Sequence, residues 1–163
     1  MLKLSALPHG QASASVKRRI TVDKKFWFAG VAGFLVSFIC GFVAHGILLH
    51  ADYARLPSLM RTESDAMNYL PFMLLSHLIK GFAFAWIYRQ GISAGVPWLT
   101  QGVRFGIAAA LLIAVPLYLV YYAVQPIPGM LVVKQIVLDS ISLVLMGIVV
   151  AFINKPNVTA ASE

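Results

Sequence analysis

Residues 26–49 read FWFAGVAGFLVSFICGFVAHGILL and contain no Lys, Arg, Asp or Glu. An α-helix rises about 1.5 Å per residue, so a helix of this length reaches across the roughly 30 Å hydrocarbon core of a bilayer. In lipid, every backbone polar group must find its partner inside the protein, which a helix achieves within one segment. The alternating pattern of a membrane β-barrel is absent. The segment is therefore predicted to be a transmembrane helix.

Three further segments are predominantly apolar and long enough to cross a bilayer as helices: residues 70–88, 103–124 and 130–153. Across the 163 residues, 60% are hydrophobic and 12% are charged, whereas soluble domains carry roughly a quarter charged residues. A soluble fold of this size buries only about two-thirds of its surface and could not hide so much apolar area. The sequence predicts an all-α, polytopic membrane protein with four transmembrane helices. Its domain, 26–153, lies between a basic tail, 1–25, and a second tail, 154–163.

The longest connection joins the first and second apolar segments. Its apolar residues recur at near-helical spacing after Pro57, namely Leu56, Met60, Met67 and Leu70. This spacing predicts a short amphipathic helix in the first outer loop, lying on the membrane surface.

The positive charges predict the orientation. Six of the thirteen Lys and Arg residues lie in the first 25 positions, and Arg89, Arg104 and Lys155 bring that side to nine. The opposite loops hold only Arg55 and Arg61. By the positive-inside rule, both termini of this multi-pass protein are predicted to be cytoplasmic. The net charge of +7 is concentrated beside an apolar segment without interleaved aromatic residues, which favours anionic lipid rather than nucleic acid as its partner.

Two opposite charges lie at matched depth. Lys80 is ten residues into the second segment and Asp139 nine residues into the fourth, so both lie roughly 13–15 Å from the outer face. Each charge alone costs about 2.5–3.5 kcal/mol at the centre of a membrane helix. The sequence therefore predicts an intramembrane ion pair between Lys80 and Asp139. His77 and Gln135, each about one turn earlier, complete a predicted intramembrane polar centre.

That polar centre has two readings. It is either a buried ion pair that fixes helix register, or a proton relay or ion site, because ionisable groups inside membrane helices often mark pathways. A stripe of small residues in the first segment, Gly33, Ser37 and Gly41, has the spacing of close helix packing. Besides the lipid bilayer, a homo-oligomer or other membrane proteins are possible partners.

Cofactor and enzyme signals are weak. His45 and His77 lie at comparable depths and could act as a bis-histidine haem pair. His45, His50 and Asp52 are low-ranking metal candidates with a spacing typical of no specific site. No nucleophile elbow, zinc-protease, P-loop or dinucleotide motif occurs. The single cysteine, Cys40, allows no intramolecular disulfide. We therefore expect no enzyme activity and no cofactor.

Three stretches carry a family resemblance: FAFAWIYRQG at the end of the second segment, GVRFGIAAALL at the start of the third, and DSISLVLMGIVVAFI in the fourth. In these the chain resembles small four-helix bacterial inner-membrane proteins of unknown function. The resemblance implies the architecture and a bacterial inner membrane, and it assigns no functional residue.

Three functions remain open from the sequence. The first is a non-enzymatic structural or accessory membrane protein with a buried polar centre. The second is a small proton-coupled transporter or channel subunit that uses the same polar residues. The third is a haem- or metal-binding membrane protein.

Overall fold

The computed structural model describes residues 23–155, and within them every regular element is helical. Four helices are long and apolar enough to cross a membrane. We call them span 1 (Lys24–Leu48), span 2 (Leu70–Gln90), span 3 (Trp98–Val124) and span 4 (Gly129–Asn154). Most of the two predicted tails, residues 1–22 and 156–163, lies outside the described residues.

Local signals set the helix starts. Asp23 caps span 1 because its carboxylate accepts a hydrogen bond from the Phe26 backbone N–H at 2.9 Å, which satisfies one of the free donors of the first turn. Span 2 has a proline in its first turn, where the missing N–H costs nothing. Span 3 begins at Trp98, five residues before the predicted start at 103. Its first turns contain polar residues that interrupt the apolar pattern without interrupting the helix.

Two spans contain π-helical segments, Phe42–Leu48 in span 1 and Ala110–Ala114 in span 3. The second ends just before Pro116, whose ring would clash with the carbonyl four residues earlier in a regular α-helix. A wider turn is a known way to accommodate such a residue. Each π segment also changes the direction of the side chains that follow it.

The bundle consists of two antiparallel pairs, spans 1 and 2 and spans 3 and 4, joined because span 1 also packs against span 4. Glycines allow close approach within each pair. A Cβ built on Gly33 would lie 3.2 Å from the Gly81 carbonyl oxygen, and one on Gly106 would lie 2.8 Å from the Leu143 carbonyl oxygen. Larger residues at these positions would force the helices apart.

One end of the bundle holds both termini of the described chain. The Lys25 ammonium donates to the Lys155 carbonyl oxygen at 3.0 Å, and Arg89 makes two hydrogen bonds to the Asp23 carboxylate at 2.9 and 2.8 Å. We call this the terminal end and the opposite one the far end. The start of span 1 and the ends of spans 2 and 4 are thereby tied together.

Two apolar clusters form the core. The larger fills the terminal half of the bundle, and its largest members include Phe84, Leu143, Met146 and Val150. The smaller lies at the far end and consists of Leu49, Tyr118, Ile127, Leu131 and Val132.

The connection between spans 1 and 2 folds over the far end. It holds two short helices, His50–Tyr53 and Glu63–Asn68, where the sequence analysis predicted one amphipathic helix. Leu56 and Leu59 pack against the far-end apolar cluster. This part of the connection therefore covers protein, and a position on the membrane surface stays a prediction for the remainder.

Candidate polar site at the far end

Asp139 joins three spans. Its Oδ1 lies 3.1 Å from Nε2 of His45 on span 1, and its Oδ2 accepts a hydrogen bond from the Tyr118 hydroxyl on span 3 at 2.6 Å. Hydrogen bonds to a carboxylate are roughly twice as strong as bonds between neutral groups. A single side chain of span 4 thus holds spans 1 and 3 at the same level.

A second pair of contacts extends this network to the connection. The Tyr53 hydroxyl lies 2.6 Å from Nδ1 of His45 and accepts a hydrogen bond from Nε2 of Gln135 at 3.0 Å. We call His45, Tyr53, Tyr118, Gln135 and Asp139 the far-end polar cluster. It ties the covering connection to spans 1 and 4.

One assignment of protons with a neutral imidazole satisfies all four hydrogen bonds. Tyr53 donates to Nδ1 of His45, and Nε2–H of His45 then donates to the ionised Asp139. Burial raises the pKa of the Tyr53 phenol, so this hydroxyl keeps its proton and can act as the donor. The bond at one ring nitrogen therefore fixes the proton at the other.

The cluster has one unused acceptor. Gln135 is only 5% exposed. Its Oε1 is nevertheless without a hydrogen-bond partner among residues 23–155. Leaving a buried polar atom unpaired costs about 1–3 kcal/mol. On the opposite edge, the side chains of His45 and Asp139 keep 31% and 26% of their surface exposed. The Gln135 side of the cluster is therefore buried inside the protein, whereas the His45–Asp139 pair is partly exposed at its surface.

The predicted ion pair between Lys80 and Asp139 does not form. In the described part of the chain, the partners of Asp139 are His45 and Tyr118. Lys80 is half-buried and acts on Asp139 only through longer-range electrostatics. The physical reason is the packing order: span 4 packs closely against spans 1 and 3 and makes few contacts with span 2.

His77 belongs to a separate contact. Its Nδ1 lies 2.7 Å from the hydroxyl of Ser37, which is buried between spans 1 and 2. The small-residue stripe Gly33, Ser37 and Gly41 faces span 2 throughout, because Gly33 meets Gly81 and Gly41 lies beside the His77 ring. Of the four residues predicted for the polar centre, Gln135 and Asp139 enter the far-end polar cluster, and His77 and Lys80 do not.

The metal and haem candidates are engaged elsewhere. Asp52 forms an ion pair with Lys134 at 2.7 Å, and His50 is exposed. Both ring nitrogens of His45 already make contacts, so an axial bond to haem would have to break one of them. Residues 23–155 contain no group of three or more His, Cys, Asp or Glu side chains placed to hold a metal ion.

His45, Tyr53 and Tyr118 were not among the residues predicted for the polar centre, and all three belong to the far-end polar cluster. Tyr118 and Tyr53 are both within hydrogen-bond reach of groups that sequence reasoning had selected. A usable signal existed for Tyr118, because a phenol deep in an apolar helix usually needs a polar partner. For Tyr53 there was none, since a tyrosine in a polar connection is normally solvated.

No protein-family model matches the chain, and no significant similarity to a curated protein or a solved structure was found.

Proposed function

We propose that the chain is an integral protein of a bacterial inner membrane, with both termini in the cytoplasm, and that it acts without catalysis as a structural or accessory membrane protein. Large apolar side chains exposed along all four spans, such as Phe28, Phe72, Leu112 and Met130, support insertion into lipid. The excess of positive charge beside the terminal end supports a cytoplasmic position for that end.

The observation that carries the non-catalytic proposal is how the polar side chains inside the bundle are used. Asp139 is bonded to spans 1 and 3, and His77 is bonded to span 1 through Ser37. Between the far-end polar cluster and the terminal end, the buried core is made of apolar side chains such as Leu143, Met146 and Val150. Such contacts fix the helices relative to one another, and within residues 23–155 the larger apolar cluster lies between Asp139 and the terminal end.

A small proton-coupled transporter or channel subunit is the second candidate. It is favoured by the partly exposed His45–Asp139 pair and by the unpaired Oε1 of Gln135. Both are features of a site that exchanges a proton or a small polar ligand. Because one copy offers an apolar core below this site, transport would require other copies or a partner protein to complete a path.

Reconstitution separates the two candidates. The full chain is placed in proteoliposomes that contain a pH-sensitive dye, and an imposed pH gradient is followed with time. For a structural or accessory protein we expect decay no faster than in empty liposomes. Faster decay that is lost in Asp139→Asn and kept in Ser140→Ala would overturn the proposal in favour of transport. An absorbance scan for a haem band and metal analysis of the same sample test the third candidate.

Membrane insertion has its own test. After expression in a bacterium, membranes are washed with alkaline carbonate, which removes peripheral proteins. We expect the chain to stay in the membrane pellet and to leave it only with detergent. Release by carbonate alone would overturn the integral-membrane proposal.

A further inference from the structure

A cleft of about 520 Å³ opens at the terminal end, between spans 2 and 3. Its walls are the last turn of span 2, the connection 91–97 and the first two turns of span 3. None of its lining residues belongs to the far-end polar cluster, and the proposed function does not depend on them. Its polar lining residues are Tyr88, Gln90, Ser93, Gln101 and Arg104.

Tyr88 offers an unused hydroxyl to this cleft. The residue is only 5% exposed, and its ring packs edge-on against Phe105 at 5.4 Å. Within residues 23–155 the Tyr88 hydroxyl has no hydrogen-bond partner, yet its oxygen is not sealed inside the protein as Oε1 of Gln135 is. Because buried tyrosine hydroxyls normally find a partner, this donor indicates that something outside the described chain supplies the acceptor.

Arg104 brings a positive charge without a counterion. It is exposed, and among the described residues it makes no ion pair or hydrogen bond. The acid that lies at this end of the described chain, Asp23, is held by both guanidinium nitrogens of Arg89. Arg104 lies six residues into span 3, about 9 Å along the helix. An arginine at this depth in a membrane needs a counterion or access to the headgroup region.

The cleft wall is held in place by Gln101. Its Oε1 accepts from the Ser93 N–H at 2.9 Å, and its Nε2 donates to the carbonyl oxygens of Ser93 and Val96 at 3.1 and 2.8 Å. Both N–H groups of the amide are therefore used, and Gln101 orders the connection 91–97 without offering a donor to a ligand. The Ser93 hydroxyl donates to the Gly91 carbonyl oxygen at 3.4 Å, and Nε2 of Gln90 donates to the Trp86 carbonyl oxygen at 3.3 Å and keeps its second N–H. The Tyr88 hydroxyl and the Arg104 guanidinium have no hydrogen-bond partner among residues 23–155.

We propose that this cleft binds the phosphate of an anionic phospholipid headgroup. The Arg104 guanidinium pairs with two phosphate oxygens, a geometry that its planar fork favours, and the Tyr88 hydroxyl donates to one of them. A lipid is the source of the phosphate because the remaining lining includes the apolar side chains of Ile87, Val96 and Phe105, against which glycerol and acyl carbons pack. Basic pockets between helices at the cytoplasmic face are typical lipid sites. The proposal rests on the membrane insertion proposed above.

Native mass spectrometry of the purified full chain in detergent tests this directly. Phosphatidylglycerol and phosphatidylcholine are added separately, and the lipid-bound fraction is measured. We expect Arg104→Gln to weaken phosphatidylglycerol binding about tenfold and Tyr88→Phe about threefold, since a charge-assisted hydrogen bond contributes more than a neutral one. Arg104→Lys keeps the charge and should restore part of the binding. Circular dichroism verifies that each variant is folded.

Lys24→Gln is the matched control, because it removes one exposed positive charge from the same end outside the cleft. We expect it to bind phosphatidylglycerol as the wild type does. Equal losses in Lys24→Gln and Arg104→Gln would overturn the proposal. Equal binding of the two lipids would overturn the choice of an anionic headgroup, because phosphatidylcholine also carries a phosphate. Inorganic phosphate that displaces phosphatidylglycerol at millimolar concentration would overturn the choice of a lipid. Carbonate extraction tests membrane insertion separately. A failure of the membrane proposal can therefore be distinguished from a failure of the lipid-binding proposal.

Discussion

An aspartate inside an apolar helix is costly unless its charge is neutralised or bonded, and Asp139 is bonded on both oxygens. The His45 imidazole and the Tyr118 hydroxyl approach from different spans at 3.1 and 2.6 Å. Each bond therefore also fixes the position of one helix relative to another. In membrane proteins such interhelical bonds average about 0.6 kcal/mol, and those to a charged group are stronger.

We expect Asp139→Asn to destabilise the fold by about 1–3 kcal/mol, because the amide presents an N–H₂ group to one of the two donors that the carboxylate accepted from. The measurement is thermal or denaturant unfolding in detergent micelles, followed by circular dichroism. Ser140→Ala is the control: Ser140 is the next residue, and its side chain makes no hydrogen bond among residues 23–155. Equal stability of the two variants would show that the far-end polar cluster does not hold the spans together.

At the level of residues, the polar groups that need partners could be recognised from the sequence, but the partner predicted for Asp139 was wrong. Gln135 and Asp139 stand out because polar side chains are rare in span 4. Lys80 was assigned to Asp139 because depth along a helix can be counted from the sequence. Which helix faces which cannot be counted in that way, and span 1 rather than span 2 supplies the partner of Asp139. The histidine that does so, His45, lies on a π segment that changes its direction.

At the level of elements, the four helices follow from composition and length, and their close contacts follow from glycines. Span 2 meets span 1 at Gly81, where an added Cβ would lie 2.7 Å from the Gly30 carbonyl oxygen. The helix of span 3 begins five residues before the predicted segment, because Thr100 and Gln101 weaken the apolar signal while they remain helical. The π segments had no signal in the apolar pattern, since that pattern does not encode the hydrogen-bond register.

We expect Gly81→Ala to destabilise the fold by about 1–3 kcal/mol, because the new methyl group meets helix backbone that cannot move independently. Gly91→Ala makes the same chemical change where an added Cβ would have only the Tyr88 carbonyl oxygen near it, at 3.9 Å. That variant should unfold within about 0.5 kcal/mol of the wild type. Both are measured by unfolding in the same detergent. Equal effects would mean that spans 1 and 2 are not held at the distance described.

The contribution of Asp23, at the start of span 1, to the stability of the fold should depend on pH. The hydrogen bonds from Arg89 and from the Phe26 N–H lower the pKa of Asp23 from its ordinary 3.8 to about 2. Because the folded state favours the ionised form, this contribution to stability is present above about pH 4 and is lost as the pH falls towards 2.

Asp23→Asn tests that dependence, because asparagine still caps a helix while it removes the charge. The midpoint of thermal unfolding is measured between pH 2 and pH 7 for the wild type and the variant. We expect the wild type to be the more stable at neutral pH and the two midpoints to converge below pH 3. A difference that stays constant over this range would exclude the Asp23–Arg89 ion pair as its source.

On the scale of the whole molecule, the two ends are built differently. The terminal end is held by charged contacts between Asp23 and Arg89 and by the bond from Lys25 to the Lys155 carbonyl oxygen. The far end is covered by the connection between spans 1 and 2, which adds Leu56 and Leu59 to an apolar cluster. Four crossings would place both ends of the described chain on one side, and the count of positive charges predicts that this side is the cytoplasm.

Cysteine labelling in cells tests this orientation. Replacing the single cysteine in Cys40→Ala gives a background without thiols, into which Ser58→Cys and Ala94→Cys are introduced separately. Both positions are exposed, one in the far-end connection and one between spans 2 and 3 at the terminal end.

With a maleimide that does not cross the inner membrane, we expect Ser58→Cys to react in cells whose outer layer is permeable. Ala94→Cys should react only after the inner membrane is opened, because the nine positive residues predict that this side is the cytoplasm. The reverse pattern would invert the orientation and place the Arg104 cleft on the outer face, and labelling of both in intact cells would contradict four membrane crossings.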